Sequence, residues 1–209
     1  MPRIDDYKES FRLAALELKK RDPAALAQSS GAEYSAEKGL VVAFLGAGYR
    51  VEIHPETKIG KIDSNEEVAL PDQILIAHYL LGAAGRKATG KLITFRQVPD
   101  GHFYFDAFQR RARDPFVKFF GDNGALFVKC AEMLGAAPVD NGDYGMEFSV
   151  FPHIQVQLLL WAGDEEFPPE ATILFDESIH WRLPAEDIAV MSGGLVYRLI
   201  GLGRKMLSA

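Results

Sequence analysis

Ile188, Met191, Leu195, Leu199, Leu202 and Met206 recur at intervals of three and four residues. That spacing places all six on one face of a helix, and such a face must be covered by other apolar surface. Leu183-Pro184 precedes the stripe and Glu186 and Asp187 fall in its first turn, which marks where the helix begins. Glycines 193, 194, 201 and 203 weaken it, a cost that makes sense where another segment packs closely. Upstream the period changes to two. In 154–161, Ile154, Val156, Leu158 and Leu160 alternate with Gln155, Gln157, Leu159 and Trp161. Gly145 to Val150 and Ala171 to Phe175 are strands of the same kind. Strands linked by short turns and followed by a long one-sided helix predict an α+β fold, a mostly antiparallel sheet covered by helices.

The N-terminal third obeys the same rules. Tyr7, Phe11, Ala14, Ala15 and Leu18 share a helix face, with Asp5 and Asp6 at its start and Lys19, Lys20 and Arg21 at its end. Asp22-Pro23 caps and opens a second short helix that stops near Gly31, so residues 1–31 form an N-terminal helical segment. Val41 to Leu45 is apolar on both sides, as in a central strand. Tyr49, Val51 and Ile53 alternate with Arg50, Glu52 and His54, which completes a hairpin through Gly46-Ala47-Gly48. Pro71-Asp72-Gln73 opens a helix carrying Ile74, Leu75, His78 and Leu81 that ends at Gly82 or Gly85. A strand over Leu92 to Phe95 and helices over Tyr104–Arg113, Pro115–Phe120 and Ala125–Leu134 fill the middle. No repeat or linker interrupts the chain, and one domain over 1–209 is the economical expectation.

Composition excludes several classes of function. The 209 residues include one cysteine, Cys130, which can form neither an internal disulfide nor a thiolate metal site by itself. It lies in the apolar helix pattern Leu126, Phe127, Cys130, Leu134, which fits a core thiol better than a nucleophile. The polar N-terminus and the lack of a long apolar run predict a cytoplasmic protein without membrane insertion. A net charge of −6 argues against nucleic acid as a partner. Charge is unevenly spread: Arg86 to Lys118 holds eight Lys and Arg against three Asp and Glu, whereas Asp140 to Asp187 holds eleven acids and only Arg182. Such asymmetry marks either an interaction surface or two stretches that offset one another.

Two glycine patterns imitate nucleotide sites. Gly46-Ala47-Gly48 follows a strand, but a dinucleotide turn needs a helix next and a third glycine, and Val51 stands in a strand. Gly85 to Lys91 matches GxxxxGK, yet Leu92 replaces the magnesium-binding hydroxyl, and the segment runs from helix to strand, the reverse of a phosphate loop. Neither predicts a cofactor. His102 and Asp106 would share a helix face if the helix begins by Gly101, and His102 otherwise belongs to a turn. Asp164, Glu165 and Glu166, between Trp161 and Pro168-Pro169, form either an acid/base or hard-cation site or a solvated loop. Asp176, Glu177 and His180 lie on the returning strand as further ligands. If the three acids converge, Arg96, Arg110, Arg111 or Arg113 must offset them, since no histidine pair supports a metal.

The stretches Trp161–Pro168, Ile173–Ile179 and Leu183–Asp187 resemble domain-of-unknown-function family 3786, an uncharacterised bacterial and archaeal family. Gly90–Arg96 and Asp100–Tyr104 look like its middle part. The likeness covers most of the chain after about residue 31 and supplies no site residues. It implies an anaerobic, redox-linked setting, since some members join this domain to an iron–sulfur domain, although one cysteine cannot ligate a cluster here.

These readings favour an accessory protein that binds a small molecule or a protein partner, with Arg96, His102, Tyr104, Trp161 and Asp176 as ligand-binding candidates. The alternative is a carboxylate-based or cation-dependent, hydrolase-like enzyme using Asp164, Glu165 and Glu166 with His180. A third reading is a purely structural interaction domain.

Overall fold

The computed structural model describes residues 4–35, 37, 39–82 and 86–208. Its contacts divide the chain into two units. Unit 1 holds Met1–Lys87 together with Phe151–His153 and Trp181–Leu183, and unit 2 holds the remainder.

Unit 1 begins with α1 (Ile4–Leu18) and α2 (Pro23–Ser30). In α1, Ala14 and Leu18 are buried whereas Leu13 and Leu16 are exposed, so the predicted face is the inner one. The Asp22 side chain accepts from the Ala25 N–H at 2.8 Å, and Gly31 stops α2 at a φ of 70°, a conformation glycine adopts without strain. Strands β1 (Glu33–Ser35), β2 (Gly39–Phe44), β3 (Ala47–Glu52) and β4 (Lys58–Lys61) form an antiparallel sheet in sequence order. The hairpin between β2 and β3 turns on Leu45 and Gly46, whose φ angles are 48° and 76°. Positive φ at both positions is what the type I′ turn requires. The turn therefore lies one residue earlier than the glycines imply, and Gly48 is a strand residue opposite Ala43. Strand β2 has one covered face, because Leu40, Val42 and Phe44 are buried while Ala43 is exposed.

Helix α3 (Leu70–Gly82) is buried nearly all round through Ile74, Leu75, Ile76, Ala77, Tyr79 and Leu80. His78 and Leu81, assigned to its inner face by spacing, are half-buried at the margin. The helix ends at Gly82, where a Cβ would strike the Arg182 carbonyl; Gly85 lies outside the described residues. Phe151 stacks between Tyr79, at 4.1 Å, and Phe44, at 4.5 Å.

Unit 2 carries a five-stranded sheet, and its chain order is β5 (Leu92–Thr94), α4 (Gly101–Phe108), α5 (Asp114–Phe120), α6 (Gly124–Met133), β6 (Ala137–Pro138), β7 (Tyr144–Phe151), β8 (Ile154–Trp161), β9 (Glu170–Asp176) and α7 (Ala185–Leu207). The last residue of β7 belongs to unit 1. The strand order is β5-β9-β8-β7-β6. β8 and β9 pair antiparallel with Leu158 opposite Ile173 and Trp161 opposite Glu170.

Helices α4 and α5 are joined without a break by a π-turn over Gln109–Arg113. In α7, Ile188, Met191, Leu195 and Leu199 are buried, while Leu202 and Met206 reach the surface end. Two of its glycines permit close packing. A Cβ on Gly193 would lie 3.1 Å from the Arg111 carbonyl oxygen, and one on Gly203 would lie 2.6 Å from the Phe119 ring. Gly194 and Gly201 meet no such obstacle.

Candidate functional site

The acids singled out by sequence stand at two ends of one strand. Asp164, Glu165 and Glu166 occupy the loop before β9, whereas Asp176 is its last residue and Glu177 and His180 come after it. Seven residues of extended chain span about 20 Å, so the two groups cannot act on one ligand. Asp164 organises its own loop: its Oδ1 accepts from the Glu166 N–H at 2.8 Å and the Phe167 N–H at 2.7 Å. Those bonds, the one from Phe167 first, hold its carboxyl below the usual range. Backbone amides supply the compensation, not the arginines expected from the basic stretch. Arg113 instead pairs with Asp114 at 3.2 Å, and Arg96 stacks over the Phe105 ring at 3.9 Å. Glu165, Glu166 and Phe167 are exposed.

Asp176 fastens the glycine loop to the sheet. It accepts from the N–H groups of Thr89 at 3.0 Å, Gly90 at 2.7 Å and Ser178 at 2.9 Å. Partial burial works to raise its pKa, and the bonds from Ser178, Thr89 and Gly90 together outweigh burial and lower it. Lys91 Nζ meets Glu177 at 2.7 Å. The amides with which a phosphate loop would cradle an anion already donate to the protein's own carboxylate. His180 Nδ1 donates to the Glu177 carbonyl at 2.6 Å, so its ring is fixed by its own turn.

Helix α4 begins at Gly101, so His102 and Asp106 do share a face. Both are exposed, and the His102 ring lies 3.8 Å from that of Phe103. Tyr104 sits beside Glu186, whose charge, followed by partial burial, a hydrogen bond to Glu186 and the charges of Asp100 and Asp187, raises its phenol pKa. Trp161 is at the exposed end of β8, 37% accessible. Cys130 is fully buried in α6, and burial pushes its thiol up, away from thiolate chemistry. No group of three His, Cys, Asp or Glu among the described residues is placed to hold a metal ion. No helix among them is long and apolar enough to cross a membrane.

One concave site does combine apolar and cationic groups. A cavity of about 190 Å³ in unit 2 is bounded by Thr94–Arg96, the helix from Phe105 to Arg113, and Ala171–Ile173 of β9. Aromatic rings form its floor: Phe95 and Phe108 stack at 4.2 Å, nearly parallel. Arg96 is presented by the 3₁₀ turn just after β5 and its guanidinium lies over the Phe105 ring. Arg113 comes from the π-turn, which inserts one residue and rotates the next helix by about 100° relative to α-helical register. Thr94, Gln109 and Thr172 add hydrogen-bonding groups. Of this set the sequence singled out Arg96 as a ligand residue. Arg113 entered only as a counter-charge and Gln109 not at all, because a π-turn leaves no spacing signal in a run such as Gln109-Arg110-Arg111-Ala112-Arg113.

These features define an α+β protein with two antiparallel sheets and an arginine-flanked aromatic cavity. The family model of Domain of unknown function (DUF3786) matches residues 22–198, and the chain belongs to that family. No curated protein and no solved structure gives a significant match.

Proposed function

We propose that the chain is an accessory protein that binds a small organic anion in the Arg96–Arg113 cavity, with an apolar ring or short chain on the phenylalanine floor. The observation that carries this reading is one concavity lined by Arg96 and Arg113 together with the stacked Phe95 and Phe108 rings. Guanidinium recognises carboxylate through paired hydrogen bonds, and an aromatic floor takes the apolar body. Specific polar groups over an apolar floor are the usual make-up of small-molecule sites, and the volume is below the ~300–1,000 Å³ of drug-sized pockets. The ligand is therefore small. An intracellular, anaerobic redox setting belongs to the same proposal and draws on the family resemblance and on the buried lone thiol. The hydrolase-like alternative has less support, because its carboxylates and His180 lie at opposite ends of β9.

Calorimetric titration with benzoate, phenylacetate, butyrate and acetate tests the proposal. Ring-bearing acids should bind more tightly than acetate, and Arg96→Gln should weaken them by about tenfold or more, the loss of one charge-assisted contact. No heat with any acid, or affinities unchanged in both Arg96→Gln and Arg113→Gln, would refute it.

A further inference from the structure

Arg182 is the only cation between Asp140 and Asp187, and acids surround it in sequence. In the fold it is buried in unit 1, 4% accessible. Its Nη2 donates to the Arg86 carbonyl at 2.5 Å. Its Nε and Nη1 are shielded from solvent and have no hydrogen-bond partner among the described residues. Burial depresses its pKa, and among the described residues it is the Tyr79 hydroxyl, not an acid, that offsets this. That hydroxyl is committed, donating to the Ser30 carbonyl at 2.6 Å and accepting from the His153 N–H at 3.2 Å. The Arg86 side chain is turned to the neighbouring Trp181, lying over its ring at 4.7 Å.

A buried guanidinium cannot escape by losing its proton, and an unpaired buried charge is among the most costly features a fold can carry. A chain of net charge −6 has carboxylates to spare, yet none among the described residues acts here. Among the described residues none supplies the missing partner.

We infer that unit 1 holds a small oxyanion against the free N–H groups of Arg182. The shared chemistry is a compact anion with planar or tetrahedral oxygens, either a carboxylate or an inorganic phosphate or sulfate. This site lies in a different unit from the Arg96–Arg113 cavity and does not depend on it.

The test uses the full chain, dialysed free of small anions. Thermal unfolding is followed while acetate, phosphate or sulfate replaces chloride at constant ionic strength. At roughly a hundred times Kd, one oxyanion should raise Tm by about 5–10 °C for a chain of this size. Which of the three does so separates a carboxylate site from an inorganic one. Arg182→Met, similar in shape and uncharged, should unfold no lower than the parent in the absence of oxyanion and should show no shift with it. For acetate, parent Arg182 and Arg182→Met are compared in the Arg96→Gln background, where the cavity's own contribution is weakened, which separates this site from the other. Should Arg182→Met fail to fold, the parent alone decides, because the ¹⁵N-detected Nε–H resonance of Arg182 should move saturably with the same anion. A parent Tm and Nε–H resonance that ignore all three oxyanions, or a shift that persists in Arg182→Met, would overturn the inference. So would an anion-insensitive Arg182→Met that unfolds well below an anion-insensitive parent, because Arg182 would then be satisfied within the fold.

Discussion

Tyr79→Phe removes one oxygen atom from the centre of unit 1. The Tyr79 ring is fully buried and stacks on Phe151 at 4.1 Å, a contact phenylalanine keeps. Two hydrogen bonds are lost, to the Ser30 carbonyl and from the His153 N–H, each worth about 1 kcal/mol net. Ser30 is fully buried, so its carbonyl is left without a partner at a further cost of about 1–3 kcal/mol. His153 is exposed and its amide can turn to water. The expected loss is about 2–4 kcal/mol at pH 7, read from urea unfolding with an unchanged m value. A second signature is pH. Burial, opposed by the His153 hydrogen bond and the Arg182 charge, pushes the Tyr79 phenol up to about 12. Its neutral form is thus favoured by folding: the contribution is complete below about pH 10 and declines as pH rises toward 12, a loss on the order of 2–3 kcal/mol. The variant should lack that alkaline loss, so parent and variant converge there. A loss below about 1 kcal/mol at pH 7, or parallel alkaline profiles, would refute the assignment of this hydroxyl as a link between α2, α3 and the Phe151–His153 turn.

Leu195→Ala, at a site 1% accessible in α7, should cost about 2–5 kcal/mol in chemical unfolding; a cost under 1 kcal/mol would mean the α7 face is wrongly placed. Asp176→Ala should free the Thr89–Gly90 loop and raise amide exchange there. Because the folded carboxyl titrates low, its stabilisation is present above about pH 4 and lost as pH falls below that, so the variant should show a flatter acid limb. Glu165→Gln should leave stability nearly unchanged, and neither parent nor variant should bind Ca²⁺ or Mg²⁺ in calorimetry; tight binding lost in the variant would restore the enzyme reading. ATP and NAD should give no heat, since the Thr89 and Gly90 amides are occupied by Asp176.

Sequence shows well whatever depends on local spacing. The α7 stripe, the alternation in β8, and the Asp22–Pro23–Gly31 punctuation of α2 each arise from one face or one cap, and each is found where the pattern puts it. Helix α3 was harder to orient, because it is covered on nearly every side and leaves no polar face to set the phase. The three-residue β1, the four-residue β4 and the two-residue β6 are too short to show a period. The site was the least legible part. Adjacent carboxylates at 164–166 drew attention by composition, yet one of them serves its own loop. Arg182, in contrast, stands out in sequence only as the one cation of an acidic stretch. Its burial among groups from residues 79, 86 and 153 depends on long-range packing that no local pattern encodes.

The three separate pieces of chain that make up unit 1 have a bearing on how the protein is made. Synthesis proceeds from the N-terminus, so α1 to α3 and the four-stranded sheet leave the ribosome long before Phe151, His153 and Arg182. Until residue 151 emerges, Phe44 and Tyr79 lack the ring that stacks between them, and the Tyr79 hydroxyl lacks the His153 amide. The first 87 residues therefore spend the synthesis of more than sixty others with an open apolar seam, a period in which chaperone binding or misassociation competes with folding. Nascent chains stalled before residue 151 should remain protease-sensitive, and those extended past residue 183 should not.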